Sequence, residues 1–256
     1  MKNDKTIIDD GFRPELVEGA AFDGIFEIPH VPGPSKIILP EGMIPFSKIK
    51  YSNANKEFVH FYEHDIRFRG ILTSTDEYLN ALKKFPGVIN PDCSLYRDMP
   101  LTLQITNTYM SRAVGFFFWK NGIYSIPNIR WGDERSYTME FFSKPFAFAG
   151  VDKHSIVSIG TYGCIRGQEN RKHFKAGLKA MLGYLEPQVV LVYGPMSKEI
   201  FNEFIGMTKF VRFDDWIKVK KQEASFARSF KGAPFIDDVL HANSSDALHI
   251  PGSRHI

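Results

Sequence analysis

Short apolar runs alternate with helix-patterned stretches along most of this chain, from Phe58 to Phe213. That alternation constrains the fold more than any other feature. Strands separated by helices join through right-handed βαβ units into a mainly parallel sheet. The runs cover residues 57–62, 88–90, 123–129, 155–160, 188–194 and 209–213. About six strands follow, too few for a closed eight-stranded barrel unless the N-terminal segment supplies more. The expected fold class is α/β: a mainly parallel sheet with flanking helices, either open or an incomplete barrel.

Two helices are clear from periodicity. Leu101, Ile105, Tyr109, Ala113 and Phe116 share one face of a helix over residues 100–118, with Pro100 in its first turn. Phe174, Leu178, Met181, Leu182 and Leu185 form the inner face of another over 169–185, which Glu186-Pro187 stops. Ser74 is placed to cap a helix running to Phe85, and Asp98 to cap the helix after Pro100. Shorter helices are expected around 136–142 and over 198–204.

Residues 1–50 read as an irregular arm. Pro14, Pro29, Pro32, Pro34, Pro40 and Pro45 bar any long helix, while Ile25, Phe26, Ile28 and Ile37 imply packing along the body in extended form. Residues 51–225 form the α/β domain. Periodicity is lost after Ser225, so residues 226–256 are expected to be a mobile tail.

Hydrophobic content of 43% and charged content of 24% are those of an ordinary soluble protein. Phe116, Phe117, Phe118 and Trp119 form an apolar block far shorter than the roughly 18 residues a membrane span needs. Two cysteines, Cys93 and Cys164, make neither a disulfide framework nor a metal set alone. The opening Met-Lys-Asn-Asp-Lys-Thr carries no apolar segment of secretory type, so a cytoplasmic, reduced protein is expected. The net charge is +3. The nearest thing to a basic stripe is Arg166, Arg171, Lys172, Lys175 and Lys179, either a phosphate-binding face or a solvated helix face.

Three segments carry a family resemblance. They are residues 91–100 (Pro-Asp-Cys-Ser-Leu-Tyr-Arg-Asp-Met-Pro) with Gln104 and Tyr109, residues 126–133 (Ile-Pro-Asn-Ile-Arg-Trp-Gly-Asp), and residues 185–194 (Leu-Glu-Pro-Gln-Val-Val-Leu-Val-Tyr-Gly). Over roughly residues 40–205 the chain resembles a family of bacteria and their phages known as domain of unknown function 4417. The resemblance implies a phage or mobile-element setting and supplies no catalytic assignment.

The chemistry is sought where parallel strands end, because loops at the carboxyl edge of such a sheet gather ligands. Asp92 and Asp133 each follow a strand and a proline. As neighbours they form an acid/base pair or share Mg²⁺; the alternative is a helix cap or an Asx-turn for each. Arg130 can clamp an anion and Trp131 can offer a stacking surface, or Arg130 pairs with Asp133 while Trp131 lies in the core. The turn at 160–167 (Gly-Thr-Tyr-Gly-Cys-Ile-Arg-Gly) joins a strand to a helix and suits an anion through backbone N–H groups and Arg166, but matches no phosphate-loop or dinucleotide fingerprint. Cys164 is either a nucleophile or an inert thiol, and Tyr162 and Tyr193 are expected to line the pocket. His60 and His64 have zinc-ligand spacing but sit on a strand and its loop, which weakens that geometry.

The leading expectation is an enzyme acting on a nucleotide or other phosphorylated substrate, with Asp92 and Asp133 catalytic and Arg130, Trp131, Tyr162, Cys164, Arg166 and Tyr193 at the substrate. The alternative is a nucleic-acid-binding or partner-binding protein of replication or host takeover. A third is a scaffold using its aromatic-rich surface.

Overall fold

The computed structural model describes residues 13–52 and 56–229. The tail expected at 226–256 lies almost wholly outside them, as do residues 1–12. Seven parallel strands carry the architecture: β1 (Gly42–Pro45), β2 (Glu57–His60), β3 (Val88–Ile89), β4 (Ser125–Ile126), β5 (Ile156–Gly160), β6 (Val189–Tyr193) and β7 (Lys209–Phe213). Strands β1 to β4 form one sheet and β5 to β7 a second, each in sequence order. The sheets are joined where β4 runs on. Asn128 bridges Ser158 in parallel, with Ile129 N–H donating to Ser158 O at 2.8 Å and Ser158 N–H to Pro127 O at 2.9 Å. The N-terminal segment thus supplies the extra strand, β1.

The combined sheet is strongly curled. Across a flat sheet, β2 and β6 would stand roughly 19 Å apart at the usual strand spacing. Yet the rings of Tyr62, just past β2, and Tyr193, on β6, stack with centroids 5.2 Å apart. Curling turns one face inward, and a single apolar cluster there takes a residue from each of β1 to β6: Met43, Phe58, Ile89, Ile126, Ile156 and Leu191. Val211 and Phe213 of β7 pack against it. Among the described residues β1 and β7 are edges and do not pair with each other, so the barrel is incomplete.

The opposite face carries two long helices. Helix α1 (Leu101–Lys120) and helix α2 (Gln168–Leu185) match the periodic segments closely. Phe174, Leu178, Met181 and Leu185 of α2 pack on the outward side chains Val157, Ile159, Val190 and Val192. Gly177 lets α2 approach closely: a Cβ there would lie 2.2 Å from Trp131 Nε1.

Three local expectations need correction. Ser74 makes no side-chain cap bond, and the expected helix breaks into a 3-10 turn (Thr75–Tyr78) and a single α turn (Leu79–Leu82). Asp98 is not a cap either, because α1 starts behind Pro100, which has no side chain to bond. The helix expected around 136–142 is Glu134–Tyr137, pulled earlier by its cap, Asp133.

A separate unit begins at Asp215. Its described part is helix α3 (Trp216–Ser229), where Asp215 Oδ1 accepts from Lys218 N–H at 3.0 Å, a first-turn bond of capping type.

Candidate functional site

Side chains alternate along a strand, so positions two apart share a face. On β2 the inward set is Phe58, His60 and then Tyr62. On β4 it is Ile126, Asn128 and Arg130, and on β5 it is Ile156, Ser158 and Gly160. Every set begins apolar and turns polar or small toward the carboxyl end. The inside of the curl is therefore hydrophobic at one end and lined with hydrogen-bonding groups at the other.

Those groups form one network. Asp92, on the loop after β3, is buried at 4% exposure. Its Oδ1 accepts from Asn128 Nδ2 at 2.7 Å and Arg130 Nε at 2.9 Å, while Oδ2 accepts from Arg130 Nη2 in a charge-assisted fork. Arg130 Nη1 donates to Cys164 Sγ. The Tyr62 hydroxyl donates to Asn128 Oδ1 at 3.0 Å and lies 2.7 Å from Ser158 Oγ. Gly160 leaves room for this arrangement, since a Cβ there would come within 2.6 Å of the Tyr62 ring.

Electrostatics follow from burial and pairing. Burial opposes the Arg130 charge, but the Asp92 carboxylate more than offsets it and holds the guanidinium protonated above its ordinary range. Burial, aided by Asp92, pushes the Tyr62 phenol well up. His60 is fully enclosed and burial drives its pKa down to about 3, so the ring is neutral. A deeper pin supports the network. Arg112 of α1 is buried, has no carboxylate partner among the described residues, and donates to the carbonyls of Asn128 (2.8 Å), Ala149 (3.1 Å) and Ala147 (3.1 Å). It fixes the backbone from which Asn128 projects.

Asp133 lies in a different group. It caps Glu134–Tyr137 by accepting from Arg135 N–H at 2.9 Å, pairs with the Arg135 guanidinium at 2.8 Å, and accepts from Gln104 Nε2 at 2.7 Å. The Arg135 bond, with Gln104, lowers its pKa to about 2. Asp92 and Asp133 share no hydrogen-bond partner among the described residues. Arg130 pairs with Asp92 and not with Asp133.

The remaining expected site residues divide by position. Tyr193 is buried on the inner face beside His60 and Tyr62, and Tyr162 is half exposed with its ring edge-on to Tyr193. Cys164 is partly buried against Arg130, and Arg166 is exposed on the same turn. Trp131 faces outward into the helix-covered core against Phe174, with ring centroids 5.0 Å apart. Cys93 is buried, and burial pushes its thiol far up.

No group of three or more His, Cys, Asp or Glu side chains able to hold a metal occurs among the described residues. Both Asp92 oxygens accept from nitrogen donors, so a Mg²⁺ there would compete with Arg130 and Asn128. On the α2 surface, Arg171, Lys172 and Lys175 each face an acid: Glu199, Glu169 and Glu203. No described helix is long and apolar enough to cross a membrane.

Sequence reasoning missed Tyr62, Asn128, Ser158 and Arg112, and considered His60 only as a zinc ligand. The first three and His60 were detectable as the polar ends of inward-facing i, i+2, i+4 sets. Nothing local marks Arg112, whose partners lie far along the chain.

Relatives bear on where such a chain occurs. It is 29% identical over 146 residues to the "Gene 1 protein" of Mycobacterium phage L5, covering 57% of this chain and 61% of the relative. To the "Gene 1 protein" of Mycobacterium phage D29 it is 28% identical over 145 residues, covering 57% and 51%. The matched regions thus span between half and two thirds of these relatives. No solved structure matches. The family described as a domain of unknown function, DUF4417, matches residues 20–214, which includes every strand and every residue of the polar network, and the chain belongs to it.

Proposed function

We propose that this protein is an enzyme whose active site is the polar mouth at the carboxyl end of the curled sheet, acting on a nucleotide or other phosphorylated small molecule. One observation carries the reading: at the ends of different strands, a buried Asp92–Arg130 pair is linked to Tyr62 through Asn128 and to Cys164 through Arg130. Buried ion pairs rarely improve stability over apolar packing. Strand ends in parallel α/β folds are where substrates bind.

In this reading Arg130 is the anion clamp. A phosphate offers its fork the same two-oxygen geometry as Asp92 and competes with it. Displaced from Arg130, Asp92 becomes an available general base. Cys164, whose Sγ accepts from Arg130 Nη1, is the candidate nucleophile of the mouth. Tyr62 positions the substrate through its hydroxyl, and Tyr162 stands at the rim. Asp133 serves the site indirectly, by holding the loop that follows Arg130.

The test is a thermal-shift and turnover screen with inorganic phosphate and nucleoside mono-, di- and triphosphates, on wild type, Asp92→Asn and Arg130→Lys. At least one phosphorylated compound should stabilise wild type, and Arg130→Lys should weaken it tenfold or more, since a lysine lacks the fork. Folded variants that bind and turn over like wild type would defeat the proposal. Nucleic-acid binding through the Arg166–Lys179 face remains the competing reading. It predicts affinity that falls steeply with salt, and it must overcome the acids that face three of those cations.

A further inference from the structure

We infer that a single strand of nucleic acid lies along the rim of the mouth, its phosphates held by Arg67, Arg69, Arg97 and Arg166 and its bases stacked on Tyr96 and Tyr162. That one of its nucleotides enters the mouth rests on the mouth being a nucleotide site; the strand on the rim does not.

Two residue types single out the same edge of the sheet. Most arginines with described side chains are engaged by a carboxylate or a carbonyl, as Arg130, Arg135 and Arg112 are. Arg67, Arg69, Arg97 and Arg166 are exposed, and their side chains have no hydrogen-bond or ion-pair partner among the described residues. All four follow a parallel strand on its carboxyl side: Arg67 and Arg69 after β2, Arg97 after β3 and Arg166 after β5. The tyrosines sort the same way. Among the described residues the exposed ones are Tyr51, Tyr96 and Tyr162, which follow β1, β3 and β5. Carboxylates on the same loops turn elsewhere, Glu63 to Ser47 and Asp65 to Ser94, and Asp98 forms no ion pair with any of the four arginines.

The loops join into one surface around the mouth. Asp65 Oδ1 accepts from Ser94 Oγ at 2.9 Å, linking the β2 and β3 loops. A Cβ on Gly132 would lie 3.1 Å from Tyr96 O, so the β3 loop rests against the end of the β4 extension. Arg130 of that extension donates to Cys164, which stands between Tyr162 and Arg166. From the β2 loop to the β5 turn the sheet advances three strands, roughly 14 Å at the usual spacing. Guanidinium forks spread over such an arc suit successive phosphates better than a single one. Exposed aromatic rings beside them offer stacking to unpaired bases of any sequence, whereas a duplex keeps its base faces covered. An acidic peptide would satisfy the arginines and leave the tyrosines without a use.

The experiment titrates the full chain, by fluorescence anisotropy at several salt concentrations, with a labelled single-stranded oligonucleotide of about 12 nucleotides, its duplex and a mononucleotide. The single strand should bind about tenfold more tightly than either of the others. Each phosphate contact on a single strand contributes roughly 0.7 to the slope of log affinity against log salt. The combined variant Arg67→Ala/Arg69→Ala/Arg97→Ala should therefore reduce that slope by about 2, and Arg166→Ala alone by about 0.7. Tyr96→Ala should weaken the strand about tenfold and leave the slope unchanged. These side chains are exposed, so melting temperatures should match wild type; if the combined variant does not fold, Arg166→Ala decides. Salt slopes that no arginine variant changes would overturn the inference, as would a duplex bound as tightly as the strand. Strand and mononucleotide bound equally would overturn it and leave the mouth as a nucleotide site. Rim-dependent strand binding with no mononucleotide bound, and no effect of Arg130→Lys, would uphold the strand and defeat the reading of the mouth.

Discussion

Asp92 and Asp133 stand at similar places in the chain, each just past a strand and a proline, yet their surroundings differ in kind. Asp92 is buried and tied to two residues of another strand end, Asn128 and Arg130. Asp133 is partly buried and tied mainly to its own short helix. The difference comes from parity. Asn128 and Arg130 fall on the inward face of the β4 extension and reach Asp92, while Ile129 and Trp131 turn outward into the helix-covered core. By Asp133 the strand has ended and the carboxylate meets the backbone of the next helix. A charged residue after a strand thus takes its role from the face it inherits, not from its distance past the strand.

The strongest way to break this comparison is Arg130→Met. It leaves the Asp92 carboxylate buried without its cation and should cost roughly 3–5 kcal/mol in urea unfolding. Asp92→Asn combined with Arg130→Met should recover most of that loss. A single variant as stable as wild type would mean that Asp92 rehydrates easily and is not a buried charge in practice.

A pH series separates the two regions next. His60 is held near 3 when folded, against about 6.5 when unfolded. The unfolded chain therefore takes up the proton first as pH falls, and stability should decline from about pH 6.5 toward about pH 3. His60→Phe should flatten that decline in melting curves between pH 7 and 4. An unchanged slope would place the acid sensitivity elsewhere.

Asp133 acts over a lower window. Its folded pKa of about 2 lies below the ordinary value near 4, so its stabilisation is complete above about pH 4 and disappears as pH falls through about 2. Asp133→Ala also loses the cap bond and should cost about 1–2 kcal/mol at neutral pH, with the gap from wild type closing near pH 2. The smallest effect is expected on the α2 surface. Lys175→Ala breaks an exposed pair with Glu203 at 2.7 Å and should leave the melting temperature indistinguishable from wild type.

How much was legible follows the range of the forces involved. Strands β5 to β7 and helices α1 and α2 appear close to where periodicity puts them, because each is a long local pattern. Strand β1 was hidden in a proline-rich segment because it is only four residues long and the signal around it is mostly turns. Curvature was legible only as one of two alternatives, an open sheet or an incomplete barrel. It depends on Tyr62 meeting Tyr193, and no window of sequence contains both. The candidate site inherits that limit: Asp92, Arg130, Tyr162, Cys164 and Tyr193 could be nominated singly, but their grouping required the fold. Trp131 looked equivalent to Arg130 beside it and was separated from it only by facing the other way.

The sequential order of the strands has a consequence for how the protein is made. Each strand pairs with the one before it, so pairing can advance in the direction of synthesis without waiting for distant segments. Contacts across the mouth obey another timetable. Tyr62 emerges early and Tyr193 late, and they meet only after the intervening strands have formed and bent. A nascent or truncated chain ending before β6 can hold most of its early ladder and still lack the wall that encloses His60. The polar network is thus a late product of folding, and its integrity reports on the completed chain.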